Sequence, residues 1–200
     1  MRPTWLIVTI LALYVAGVAV LGIAAPGTRN PYMAQVFAHS PVAAILHLGG
    51  GTIALVAGAF QVNRRFRERS WRLHRRLGML YVLGVVMSGN AALELSVTSR
   101  ADLVARSGLA TLALVWLGTT LLALAAIWRR DIPAHHRWMY RSYALSLSAV
   151  TLRIYMPASV VLGIPFDEAY RAVTWLCWVT NLVIVEAWFI PRLRPRVSGA

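Results

Sequence analysis

Residues 108–128 read Gly-Leu-Ala-Thr-Leu-Ala-Leu-Val-Trp-Leu-Gly-Thr-Thr-Leu-Leu-Ala-Leu-Ala-Ala-Ile-Trp, without one ionisable side chain. A helix of that length rises about 30 Å, the thickness of the hydrocarbon core of a bilayer. The run ends in Arg129-Arg130-Asp131-Ile132-Pro133. A basic turn directly after an apolar run is the usual cytoplasmic border of a membrane span.

Outward from this stretch, five more apolar runs of similar length occupy 5–25, 41–61, 77–97, 138–162 and 170–190. The expected fold is all-α: a polytopic transmembrane helix bundle of six spans forming a single integral membrane domain over residues 1–200. Composition agrees. Hydrophobic residues make up 58% and charged ones 14%, against about a quarter charged in soluble domains. The lone Cys177 permits no intrachain disulfide.

The net charge of +13 comes entirely from arginine, with no lysine. Arginine clusters between apolar runs are explained by the positive-inside rule rather than by nucleic-acid binding. The segments after the second, fourth and sixth runs hold Arg64, Arg65, Arg67, Arg69, Arg72, Arg75 and Arg76, then Arg129 and Arg130, then Arg192, Arg194 and Arg196. The other loops are sparsely charged. This alternation predicts both termini in the cytoplasm and a multi-pass protein of the bacterial cytoplasmic (inner) membrane. Its partners would be the lipid bilayer and, for the arginine loops, anionic headgroups. Arg2, and Ala24-Ala25 before Pro26-Gly27, imitate a signal peptide. The run is longer than a usual signal core, so it is read as a retained span. Residues 26–40 read as a proline-punctuated polar loop.

Small residues recur at helical spacing in two spans: Gly50, Ala54 and Gly58 in the second, Gly84, Ser88 and Ala92 in the third. Such faces let helices approach closely.

Two stretches echo one another. His74-Arg75-Arg76-Leu77-Gly78-Met79-Leu80-Tyr81 and His136-Arg137-Trp138-Met139-Tyr140-Arg141-Ser142-Tyr143 both read His-Arg, with Tyr seven residues after the His. Each opens a span that runs outward, so His74 and His136 share a level near the inner border. An inner polar layer then comprises these two, with His135, Arg137, Arg141 and Glu186. An outer layer comprises His47, Asn90, Glu94 and Arg153, with His47 about 9 Å inside its outer helix end. An ionisable group at membrane depth costs about 2.5–3.5 kcal/mol on insertion scales and usually pairs or faces a cavity. Glu94 with Arg153 is the expected ion pair.

Two histidines at one level on facing helices suit the two axial positions of a haem iron, which makes haem b the candidate cofactor. Arg75 and Arg137 would meet its propionates. Tyr81 and Tyr143 would surround it, and Gly78 would leave room for a ring edge. A metal site from His135, His136 and Glu186 ranks below haem. The competing view treats these groups as interfacial anchors and an aromatic belt.

The echoed strings, with His47-Leu-Gly-Gly-Gly and Ala59-Phe60-Gln61, resemble the bacterial membrane family called domain of unknown function 2306. The resemblance runs from about residue 43 to 190 and implies no activity. A fainter likeness is to cytochrome b561-type haem bundles. That likeness implies one histidine pair joining spans three and five, which His74 and His136 fit. It implies a second pair joining spans two and four, but span four has no histidine to match His47.

Three functions stay open: a b-type haem-binding electron-transfer subunit, a small transporter working through His47, Glu94 and Arg153, and a non-catalytic scaffold or sensor. No nucleophile triad, phosphate-binding glycine loop or zinc motif occurs.

Overall fold

The computed structural model describes residues 3–63 and 68–193, with side chains from residue 5 onward. Arg2, Arg64, Arg65, Arg67, Arg194 and Arg196 lie outside the described residues. The helices are α1 (Pro3–Ala24), α2 (Pro31–His39), α3 (Pro41–Gln61), α4 (Trp71–Thr98), α5 (Leu103–Trp128), α6 (Ile132–Ser146), α7 (Ser148–Val161) and α8 (Phe166–Ile184). A π-helical segment, Val185–Phe189, continues α8. There is no strand among the described residues. Six stretches are long and apolar enough to cross a membrane: α1, α3, α4, α5, α6 with α7, and α8 with its extension.

Capping sets where several of these helices begin. The Ser70, Asp102 and Asp131 side chains accept from the amides of Leu73, Ala105 and Ala134, satisfying donors that a helix start leaves open. The third and fifth spans therefore start earlier than expected, at Trp71 and Ile132. Arginine is a good helix former, so the basic turns join the helices and His74 and His136 lie within regular helix.

Residues 26–40 are not a plain loop. They contain α2, whose Asn30 accepts from the Met33 amide at 2.8 Å and whose Pro31 stands in the first turn. Asn followed by Pro is a helix start as well as a breaker. The fifth span is also interrupted: α6 and α7 meet at Leu147. Pro157 within α7 lacks the N–H that would bond the Arg153 carbonyl.

Small residues and aromatics fill the interior. Ala54, Ala57, Ala59, Tyr81, Val85, Trp116, Tyr143 and Cys177 belong to the largest buried cluster. Leu13, Leu21, Leu83, Leu114, Leu121 and Val183 face outward. Helices in lipid gain little from burying aliphatic bulk against one another, so close packing of small residues holds them. The expected small-residue faces do this. The most extensive helix pairing is α3 with α4, and they cross at Gly50 and Gly84. A Cβ on Gly84 would stand 2.6 Å from the Gly50 carbonyl oxygen. α1 joins α3 through the Trp5 indole, which donates to the Ala59 carbonyl at 2.8 Å.

At the start of α5, Asp102 also meets Arg171 of α8 in an ion pair. The Ala105 amide, and then the Arg171 guanidinium, hold its carboxyl below the usual carboxylate value. A lowered folded-state pKa stabilises above the unfolded value and is lost as pH falls through the folded one. Acidification below about pH 4 should lower the melting temperature of wild type more steeply than that of Asp102→Asn, compared by thermal melts across pH in detergent.

Candidate functional site

The helix starts described above place three histidines at one end of the bundle. His74 enters about one turn into α4, and His135 and His136 about one turn into α6. All three line one cleft with Gly58, Gln61, Met139, Tyr140 and Tyr143. The cleft is small, about 30 Å³ in cavity volume, and partly open to the outside. The structure thus brings together the two histidines that the echoed strings single out, and adds a third. Gly58 is needed here because a Cβ on it would fall 2.3 Å from the Tyr143 ring.

His135 is the oriented member of the set. Its Nδ1 lies 2.9 Å from the Ala123 carbonyl. A carbonyl only accepts, so Nδ1 carries the proton and Nε2 keeps its lone pair. A ring N–H held by a carbonyl is the usual support behind a metal-binding imidazole. The rings of His135 and His136 stand 6.0 Å apart.

Other expected members take different places. The room left by Gly78 is filled by Gln61, whose amide donates to the His74 carbonyl at 2.7 Å. Arg75 is exposed, and neither it nor Arg137 lines the cleft. Glu186 is not beside the histidines. It pairs with Arg141 at 2.5 and 3.1 Å, and Arg141 lies over the Trp138 ring at 4.5 Å. Among the described residues no group of three or more His, Cys, Asp or Glu converges to hold a metal ion.

The two tyrosines of the echo part company. Tyr143 lines the cleft and donates to the Leu55 carbonyl at 3.3 Å. Tyr81 is fully buried behind it, in a hydroxyl network that the sequence did not announce. Its hydroxyl meets Ser142 at 2.6 Å and Ser146 at 3.1 Å. Thr120 meets Ser142 at 2.7 Å, and the Trp116 indole donates to Ser146 at 3.1 Å. The network ties α4, α5 and α6 together under the cleft. Tyr81→Phe should cost about 1 kcal/mol of stability in a detergent melt.

The outer set is only partly assembled. His47 of α3 and Ser88 of α4 clamp each other. Ser88 Oγ donates to the His47 carbonyl at 2.9 Å, and His47 Nδ1 lies 3.2 Å from the Ser88 carbonyl. Arg153 is within electrostatic reach of His47. Asn90 and Glu94 are exposed on another face of α4, where Asn90 bonds back to the Val86 carbonyl at 2.8 Å. The expected Glu94–Arg153 pair does not form. Arg153 donates instead to the Ala149 carbonyl of its own helix at 3.0 Å.

No curated protein and no solved structure matches the chain. Residues 44–189, from the second span through most of the last and including the whole histidine cleft, match a family model described as "Predicted membrane protein (DUF2306)", and the chain belongs to that family.

Proposed function

We propose that this chain is a haem b-binding electron-transfer protein of the bacterial cytoplasmic membrane, with both termini and the histidine cleft on the cytoplasmic side. His74 of α4 and His136 of α6 would be the axial ligands. The observation that carries this reading is that both histidines, from two different spans, line one cleft.

The donor set suits haem better than a bare ion. With no convergent group of three or more donors among the described residues, a bare ion would find fewer than three such ligands together. A porphyrin brings four nitrogens of its own and asks the protein for two. The cleft is small and partly open, so a planar group would have to enter from the open side. Met139 and the Tyr143 ring offer it apolar walls. Bound haem would supply one-electron redox chemistry. The chain's own part is to present the imidazoles and to hold their helices with the Tyr81 network. His135, ready with a bare Nε2, stands beside His136 as a second candidate on α6.

The transporter reading has less support, because Glu94 is exposed and Arg153 bonds to the Ala149 carbonyl rather than to Glu94. A reduced-minus-oxidised absorption spectrum of detergent-purified protein, expressed with ample haem supply, tests the haem reading. The expected result is a b-type Soret shift and α-band. A featureless spectrum would refute it.

A further inference from the structure

Arg153 lies on α7, eight residues before Val161, so about 12 Å inside the end of its span. It is half-buried and within the apolar layer. An arginine so placed usually reaches outward to the headgroups. This one turns the other way. Its Nη1 donates to the Ala149 carbonyl, one turn back toward the middle of the span, at 3.0 Å.

That single bond leaves much of the guanidinium unused. Nε and Nη2, the two nitrogens that grip a carboxylate or phosphate side-on, have no acceptor among the described residues. Arg153 belongs to neither the Arg141–Glu186 nor the Arg171–Asp102 ion pair, and no carboxylate of a described residue lies within 4.0 Å of it. Other half-buried arginines near this end are better served. Arg29 donates to the Gly22 and Ile23 carbonyls, and Arg106 to those of Ser96 and Val97. A buried charge without a partner is costly.

The surroundings are polar on one side and open on the other. His47 stands at a similar depth, its Nδ1 proton donated to the Ser88 carbonyl at 3.2 Å. Tyr14 of α1 is within electrostatic reach of Arg153 and is 64% exposed on the lipid-facing side. The two helices that carry His47 and Arg153 also hold buried hydroxyls without a hydrogen-bond partner, Thr52 and Ser148.

We infer that Arg153 forms a second ligand site that takes an oxyanion, a carboxylate or phosphate group, through the free Nε/Nη2 fork. The oxyanion arrives either on a membrane-borne amphiphile past Tyr14 or as a small anion from the outer aqueous side. The site is independent of the histidine cleft.

The test is a thermal melt of the full chain in neutral detergent, with two titrations. One adds dioleoylphosphatidylglycerol to mixed micelles, with dioleoylglycerol, which carries no phosphate, as the control. The other adds inorganic phosphate at constant ionic strength. Wild type should show a saturable rise in melting temperature in one arm, and Arg153→Gln should bind about tenfold more weakly or not at all. A response to the lipid assigns a membrane-borne oxyanion, and a response to phosphate an aqueous one. Arg153→Lys keeps the charge but not the fork. It should fold even where Arg153→Gln does not, and should bind less tightly than wild type. Absence of a saturable shift in both arms, or binding by Arg153→Lys and Arg153→Gln as tight as wild type, overturns the inference.

Discussion

Gly84→Ala is expected to destabilise the bundle by about 1–3 kcal/mol, the range for forcing extra methyl volume into a packed interior. The sign is informative because alanine is otherwise the better helix residue, by about 0.5–1 kcal/mol. At Gly84 the new methyl would stand 2.6 Å from the Gly50 carbonyl oxygen and 2.9 Å from the Ala54 nitrogen. Both obstacles are backbone, so no side chain can swing away, and α3 and α4 have to separate. Gly17→Ala and Gly118→Ala are the controls. Nothing lies within 4 Å of a Cβ at either, so both should be neutral or slightly stabilising. Tryptophan-fluorescence melts in one detergent would compare the three. Because α3 and α4 also carry Gln61 and His74, the Gly84 variant should loosen the histidine cleft as well.

The second large effect is expected at the histidines. If the proposal holds, His74→Ala and His136→Ala should each abolish the b-type absorption, because each would remove one of the two proposed haem ligands. Cys177, the one thiol, is buried in the core at α8. His39, bonded to Arg100 at the other end of the bundle at 3.0 Å, is the control, and His39→Ala should keep the full spectrum. His135→Ala separates the two candidates on α6. Retention of the band in His135→Ala and its loss in His136→Ala assigns the ligand to His136, and the reverse assigns it to the ring that Ala123 orients.

Depth was legible in the sequence, and azimuth was not. A fixed rise per residue places His74 and His136 at one level, and the cleft shows them there. The same arithmetic places Glu94 level with Arg153, but the way α4 turns to seat Gly84 against Gly50 points Asn90 and Glu94 outward. That rotation is set by backbone contact between α3 and α4, which no single residue announces. The small-residue faces were legible because their spacing is itself the packing signal. α2 was missed because Asn30-Pro31 serves both to break and to start a helix. Tyr81 illustrates the same limit of spacing. Its spacing from His74 matches that of Tyr143 from His136, yet one ring lines the cleft and the other closes a buried network with Ser142, Ser146 and Thr120. Whether a tyrosine faces a site or a hydroxyl cluster depends on side chains from three helices at once.

Haem content per chain tests most directly whether one histidine pair in the cleft holds the proposed group. Quantitative haem extraction from purified, haem-replete protein should give close to one haem b per chain, lost in the His74 and His136 variants. A ratio near zero would contradict the assignment of the cleft, and a ratio near two would contradict the single pair, since α5 offers no histidine to complete another.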